Sequence, residues 1–440
     1  MIDVCEYAVK AGEKQGADEI EAVWVRETST AVEAELSQIS KTLSVTNEAL
    51  RIRVIADKAL SSIVTYRLDE ESIKKAVTHV LSAARASKKD EQWISLPSPG
   101  DYPHVDAWDP CMQSVSSDDL TDPVMALIES LPQHIEVHLA ANEAYSTERA
   151  HANSQGISHL DRGTVHAFGM AVVGKSGGQV TPTFSELKYG RRYDPHPEQV
   201  SETVINLVNS FTPLATASSG RSRVIFSPDA LSILFTRTLF KTLSGEYAAR
   251  GRSQLAGKEG EIVAHEQFSL HDTGIIETGT SSREMDDEGT PCQDTALIVG
   301  GVLKGFIWND YWAKRAGKTS TGNAFYNDRT DEMFIRQTNM AISPGDCSRE
   351  ELLDIKDGYL VLDIHGAHSS NPESGDFSIV CSPAYRIENG EISGGVTGMM
   401  LSDNVFSLIK NIDLIGKDTE IDESTILPYI RFNDVMVIAQ

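Results

Sequence analysis

The sequence has 440 residues, and 39 Lys and Arg stand against 64 Asp and Glu, so the formal charge at neutral pH is −25. The length suggests about three domains, and a hydrophobic fraction of 40 % is typical of a globular protein with a sizeable core. The acidic balance and the lack of a basic cluster argue against direct nucleic-acid binding, because neutralising phosphates requires Lys and Arg.

Neither a membrane span nor a secretory leader is predicted. No stretch approaches about 20 continuous apolar residues, and residues 1–16 form a charged amphipathic pattern. The five cysteines lie far apart and form no CxxC pair, which favours reduced thiols over disulfides or a zinc knuckle. We therefore expect a cytoplasmic protein with no membrane or nucleic-acid partner.

Residues 1–88 are predicted to form an α+β domain. Apolar residues spaced three or four apart predict a short helix over residues 3–16. Alternating apolar and polar residues then predict three strands, around residues 20–24, 32–36 and 50–54. A second helix is expected to begin at Asp69, whose carboxylate can cap its first turn.

A proline-rich segment over residues 89–119 lacks periodicity and is expected to be a linker. A second α+β domain is expected over residues 120–215. Its first helix is predicted to begin at Asp122 and Pro123, which suit the N-cap and N1 positions. Strands with alternating residues follow, and a helix over residues 199–211 completes this unit.

Residues 220–440 are predicted to form a larger, mainly β C-terminal domain. It begins with a strand at residues 224–226 and a helix that is capped by Ser227 and runs to Gly245. The remainder is rich in strand patterns and glycine turns, such as Asn389-Gly390. The expected fold class is therefore α+β, with two N-terminal α+β layer units followed by this domain.

Two histidine-containing segments raise the question of a metal site. His265 and His271 lie on different faces of a helix, or about 20 Å apart on a strand, so they do not fit one zinc ion. His365 and His368 lie close to Asp363, and a turn could bring these residues to one ion, although the sequence specifies no further ligand. The alternative is that they are hydrogen-bonded polar residues lining a cleft.

Other local patterns favour neither a nucleotide nor a calcium site. The glycines at 300–301, 317 and 322 do not form a P-loop or a dinucleotide fingerprint. The acidic run over residues 284–289 lacks the ligand spacing of a calcium loop. We expect this run to be a solvated or substrate-facing loop.

Four motifs, in this order, resemble the TldD/PmbA family of peptidases, once called modulators of DNA gyrase. They are Asp286-Asp287-Glu288-Gly289-Thr290-Pro291, Ser320-Thr321-Gly322-Asn323-Ala324, Gln337-Thr338-Asn339-Met340 and Asn371-Pro372-Glu373-Ser374-Gly375-Asp376-Phe377-Ser378. Their combination is more specific than any single motif, and the resemblance extends over the whole chain.

The active subunit of that family, TldD, resembles a zinc protease with a His-Glu-x-x-x-His helix and a later cysteine ligand. It pairs with TldE (PmbA), which lacks these ligands. The aligned positions in this sequence are Thr236, Arg237 and Lys241, and no cysteine follows Cys381. Arg and Lys are cationic donors and Thr is a weak neutral ligand, so this chain is similar to the TldE/PmbA branch.

The resemblance implies a non-catalytic subunit of a heterodimeric zinc metalloprotease that cleaves unfolded or flexible peptides. This chain would hold no cofactor and supply cleft walls and strand edges, to which an extended peptide can add. A TldD-like partner would hold the zinc. Two alternatives remain, a homodimeric peptide-binding protein without activity and an independent metallohydrolase that uses His365 and His368.

Polar residues inside the family-like motifs are the candidate substrate-binding residues, since amides and imidazoles can fix a substrate or its backbone. They are Asn323, Asn339, His365, His368 and Asn371. Some of them are equally suited to stabilising turns. No catalytic residue and no metal ligand is expected in this chain, and on its own the chain is expected to form a homodimer.

Overall fold

The computed structural model describes residues 1–176, 179–327, 330 and 332–439, and it confirms the α+β class with a larger, mainly β C-terminal region. Long strands and flanking helices form the N-terminal half. Their bounds are α1 Ile2–Gln15, β1 Glu19–Glu35, β2 Gln38–Ala56, β3 Ala59–Thr65, α2 Glu70–Ala86, α3 Ser117–Glu129, β4 Ile135–Asn153, β5 Ser158–Ser176, β6 Gln179–Val180, β7 Phe184–Gly190 and α4 Pro197–Ser210.

These strands form one antiparallel sheet in the order β3-β2-β1-β4-β5-β6, with β7 also paired to β5. β1 pairs with β4 over residues 21–34, so strands from both predicted N-terminal units lie in the same sheet. Two hydrophobic clusters involve this sheet, and each combines residues of both predicted units, such as Ala150 in one and Val32 in the other. Helices α1 and α2 cover one cluster, and α3 and α4 cover the other. The division into units at residues 88 and 120 stays a prediction.

The starts of α2 and α3 show which local sequence signals determine where these helices begin. Asp69 caps α2 as predicted, because its side chain accepts a hydrogen bond from the Ser72 amide at 2.9 Å. The predicted start of α3 at Asp122 is wrong. Ser116 and Asp119 form a reciprocal capping box whose N-cap lies six residues earlier, and Pro123 lies inside the helix. The Asp119 carbonyl, which Pro123 cannot satisfy, accepts instead from the Tyr193 hydroxyl at 2.8 Å.

Residues 89–109 run along the first sheet without forming a helix or strand of their own. The Trp93 indole donates to Glu19 on β1 at 2.7 Å. The Asn153 amide donates to the Pro97 carbonyl at 2.9 Å. A short 3₁₀ turn, Pro110–Ser114, then leads into α3.

Short strands dominate the C-terminal region. Its element bounds are β8 Leu214–Ala215, β9 Gly220–Phe226, α5 Pro228–Arg237, α6 Leu239–Thr242, α7 Gly245–Ala249, β10 Leu270–Thr273, β11 Asp294–Val299, β12 Val302–Leu303, α8 Asp310–Ala316, β13 Ala324–Asn327, β14 Glu332–Ile335, β15 Met340–Ile342, α9 Arg349–Leu353, β16 Asp357–Val361, β17 Ile364–His365, a 3₁₀ turn Ala367–Ser369, β18 Asp376–Cys381, β19 Ala384–Glu388, β20 Glu391–Val396, β21 Met399–Asn404, α10 Val405–Leu408, β22 Ile412–Asp422 and β23 Thr425–Ala439. Within the described ranges no helix is long and apolar enough to cross a membrane.

A second sheet holds this region together, and β23 lies at its centre, paired with β9, β15, β21 and β22. Helix α5 packs on β22 and β23, and Ser227 caps it as predicted by accepting from the Ala230 amide at 3.1 Å. The expectation that this helix continues unbroken to Gly245 is wrong. It ends at Arg237, because Thr238 leaves helical geometry and its buried hydroxyl binds the Leu234 carbonyl at 2.6 Å.

Candidate functional site

The motif Asp286–Pro291 forms a buried loop where the C-terminal region meets the first sheet. Of the two predictions for this run, a solvated loop is wrong, since Asp286 and Glu288 are each 2 % exposed, and a substrate-facing loop stays a prediction. Asp286 holds the loop together by accepting from the amides of Glu288 and Thr290 at 3.0 and 2.9 Å. It also accepts from the Ala324 amide at 2.9 Å, which joins this motif to the one that follows.

Asp287 binds the loop to both halves of the molecule. Its carboxylate accepts from Arg283 at 2.8 Å and from the Tyr326 amide at 2.9 Å. Its carbonyl accepts from Arg51 of β2 at 3.0 Å. Burial raises the pKa of Asp287, but Arg283, Arg149 and Arg51 outweigh that effect and hold the pKa well below its usual range. Asp287 is therefore ionised throughout the neutral range.

Further charged residues, on the first sheet and in the loop, continue the ion pairs around Asp287. Glu21 forms an ion pair of 2.8 Å with Arg53, and Glu288 lies 3.9 Å from the same guanidinium. His151, fully buried, lies 3.7 Å from Glu21, and burial lowers its pKa to about 4. Burial raises the pKa of Glu288 to about 8. We call this set the closed ion network, and its members are Glu21, Arg51, Arg53, His151, Arg283, Asp286, Asp287 and Glu288.

Two of the predicted substrate-binding residues lie in the interior. Asn323 is fully buried and donates to Asp272 at 2.6 Å and to the Arg336 carbonyl at 3.0 Å. Asn339 donates to the Thr273 carbonyl at 2.7 Å and accepts from the Ser281 amide at 3.0 Å. Asp272 also accepts from the Thr338 amide at 2.7 Å, so this carboxylate connects the second and third family-like motifs. Their assignment to substrate binding stays a prediction.

The other three predicted residues lie together near α5, apart from the closed ion network. His365 ends β17, His368 lies in the 3₁₀ turn, and both elements pack against α5. Asn371 is exposed, and its side chain accepts from the Glu373 amide at 2.9 Å to stabilise a turn. The residues that the structure describes contain no group of three or more His, Cys, Asp or Glu that could hold a metal ion. For these residues too, substrate binding stays a prediction.

The positions aligned with the zinc motif lie on either side of the helix break. Thr236 and Arg237 end α5, and Lys241 lies on α6. Arg237 and Lys241 are exposed, and Thr236 is half-buried. A protonated guanidinium and a protonated amine have no lone pair for a metal, so these residues do not fit zinc. The final strand β23 carries no cysteine.

A cavity of about 260 Å³ opens beside the closed ion network, between strands β4 and β5, residues 280–283, Phe325 and Arg336. Its charged lining residues are Arg149, Asp161, Arg162, Arg191, Arg283 and Arg336. We call it the arginine pocket. Sequence analysis missed it because its arginines are spread over almost 190 positions. The only local signal is the pair of arginines on the β4–β5 hairpin, where Arg149 lies opposite Asp161.

Comparison with known proteins agrees with this architecture. The sequence profile of the PmbA/TldA metallopeptidase C-terminal domain matches residues 219–439. The crystal structure of TldE from Thermococcus kodakarensis superposes with a TM-score of 0.92 and 30 % identity, covering 99 % of each chain.

Two curated relatives match over most of their length. An uncharacterised protein of Methanocaldococcus jannaschii is 26 % identical over 92 % of this chain and 93 % of its own length. A zinc metalloprotease TldD homolog of Saccharolobus solfataricus is 26 % identical over 84 % of this chain and 83 % of its own.

Proposed function

The chain belongs to the TldD/PmbA family of metallopeptidases, and from that premise we propose that it is the non-catalytic, TldE/PmbA-like subunit of a heterodimeric zinc metalloprotease. The observation that carries the proposal is the replacement of the zinc motif by Thr236, Arg237 and Lys241 on α5 and α6. Two cations at these positions would repel a zinc ion.

In the proposed complex, a TldD-like partner holds the zinc and this chain supplies walls of the cleft that receives an unfolded or flexible peptide. Strand edges offer backbone hydrogen bonds to an extended chain of almost any sequence, which suits substrates without a fixed motif. The five cysteines are all unpaired in the structure, which supports a cytoplasmic location as part of this proposal.

A native pull-down of the tagged chain, with mass spectrometry and zinc analysis of the eluate, tests the proposal. We expect a partner that carries His-Glu-x-x-x-His, and about one zinc ion per pair by the usual stoichiometry of such sites. Casein, a flexible substrate, should be cleaved by the pair and not by the chain alone. A chain recovered only with itself, and inert when mixed with a TldD-like subunit, would instead favour a homodimeric peptide-binding protein.

A second outcome would favour the independent metallohydrolase. In that case the isolated chain would bind zinc stoichiometrically, and His365→Ala or His368→Ala would abolish binding. The matched control is His79→Ala, which removes an exposed histidine from α2. Zinc binding that survives all three substitutions would point to adventitious metal and would leave the two-subunit proposal standing.

A further inference from the structure

The arginine pocket has a charge composition opposite to that of the whole chain. Five arginines and one aspartate line it, whereas the complete sequence carries a net charge of −25. Burial raises the pKa of the single carboxylate, Asp161, which reduces its power to neutralise the arginines. Such a concentration of positive charge in a concave site attracts anions.

Several of these guanidinium groups are engaged with the protein itself. Arg191 donates to the carbonyls of Thr164, Gly279 and Ser282, so it shapes the pocket wall. Arg283 forms an ion pair with Asp287, but its buried Nε has no hydrogen-bond partner. A buried donor without a partner in a cavity wall is costly, and a bound acceptor can relieve that cost.

Two other arginines, Arg149 and Arg336, make no side-chain hydrogen bond within the described part of the chain, and Arg149 acts on Asp287 only at longer range. Among the described residues, no carboxylate lies within ion-pair distance of Arg149 or Arg336. Arg149 is half-buried on β4, and Arg336 is exposed and stacks 5.1 Å from the Phe325 ring. Their guanidinium groups are therefore available to a ligand. The planar fork of a guanidinium matches a carboxylate with two parallel hydrogen bonds.

The volume of the arginine pocket limits the size of the ligand that it can bind. A volume of about 260 Å³ lies just below that of sites for drug-sized ligands. It accommodates the end of a chain or a single side chain rather than an extended segment. Hydroxyl groups of Thr147 and Ser281 in the wall add neutral hydrogen-bonding groups.

We propose that the arginine pocket binds a carboxylate of a peptide substrate, supplied either by the C-terminus of the peptide or by an Asp or Glu side chain. This inference rests on the proposed function, since a peptide is the ligand that the cleft of such a subunit receives. It assigns this chain a part in substrate selection, with Arg149 and Arg336 as the principal binding residues.

The test measures binding of a short, flexible, fluorescently labelled peptide to the isolated chain by anisotropy. Three versions of the peptide are compared, with a free C-terminal carboxylate, with a C-terminal amide, and with the amide plus one internal Glu. The free acid or the Glu peptide is expected to bind about 10-fold more tightly than the plain amide, because its carboxylate adds one charge-assisted hydrogen bond. Whichever of the two binds identifies the source of the carboxylate.

The arginine variants connect this preference to the pocket. Arg149→Gln/Arg336→Gln should abolish the difference between acid and amide. Arg336→Gln alone should reduce it, and because that side chain is exposed the variant is expected to fold. Arg67→Gln, which also removes one exposed guanidinium, should leave the preference intact. Raising the salt concentration should weaken the preference in the wild type.

Equal binding of all three peptides, or a preference that survives the double variant, would overturn the proposal. Inorganic phosphate that binds more tightly than the acidic peptides, and is lost in the double variant, would also overturn it by identifying a phosphate site. Because binding is measured without a partner and without cleavage, failure here is distinguishable from failure of the two-subunit proposal.

Discussion

The closed ion network and the arginine pocket lie side by side where the first sheet meets the C-terminal region, yet their charges are arranged in opposite ways. In the network, three arginines face four carboxylates, and burial raises the pKa values of two of these, Asp286 and Glu288. In the pocket, five arginines share one carboxylate. In a buried neutralised pair, the loss of one partner leaves the other charge uncompensated, whereas unmatched charges in a cavity are available to a ligand.

The largest expected effect comes from opening the closed ion network. Asp287→Asn keeps the shape of the side chain but leaves Arg283 buried without its ion-pair partner. Loss of one partner from a buried pair typically costs about 3–5 kcal/mol. We expect a decrease of that order in the free energy of unfolding, measured by guanidinium chloride denaturation.

Arg336→Gln is the matched substitution in the arginine pocket. It removes an exposed cation that has no ion-pair partner among the described residues and stacks only on Phe325. The expected cost is about 0.5–1 kcal/mol, the usual value of an exposed cation–π contact. Equal losses for the two variants would show that the pocket arginines are structural and would remove the distinction between the two regions.

This contrast also shows what the sequence could and could not predict. The cap of α2 depends on Asp69 and Ser72, three positions apart, so it was visible locally. Solvation of the acidic run at 284–289 was wrongly predicted because Arg51 and Arg53, which contact Asp287 and Glu288, lie more than 230 positions earlier. A run of carboxylates looks solvated until its distant partners are known.

The candidate site, like the fold, was predictable from the sequence only in part. The family-like motifs correctly indicated the family, because they are contiguous in sequence. The exposure of their polar residues was not predictable. Asn339 and Asn371 both occur in such motifs. Asn339 is buried where β10 pairs with β15, whereas Asn371 lies on the surface. This difference depends on strand pairing between distant segments.

A large effect is also expected from the buried amide of Asn339. Asn339→Ala leaves the Thr273 carbonyl and the Ser281 amide without their partners. Unsatisfied buried groups cost about 1–3 kcal/mol each, so a loss of about 2–6 kcal/mol is expected in the same denaturation measurement. Asn371→Ala, at an exposed turn, should cost under about 1 kcal/mol. A stable Asn339→Ala chain with impaired peptide binding would instead support the predicted substrate role.

A further expected effect concerns the pH dependence of the closed ion network. The pKa of Glu288 is raised by burial from 4.5 to about 8, so at neutral pH this carboxyl is protonated in the folded chain and ionised in the unfolded chain. A raised folded-state pKa gives stability that is lost as the pH rises through that value. From about pH 7 to 9, this group alone should lower the free energy of unfolding by about 1 kcal/mol.

Glu288→Gln tests that contribution, since glutamine keeps the acceptor for the Asp310 amide and cannot titrate. The free energy of unfolding of this variant should fall by about 1 kcal/mol less than that of the wild type over the same pH range. Glu373→Gln, at an exposed carboxylate, is the control for removing one negative charge. Parallel pH profiles for all three proteins would mean that Glu288 is ionised in the folded state. Arg51 and Arg53 would then neutralise both Glu21 and Glu288 inside the closed ion network, while Arg283 neutralises Asp287.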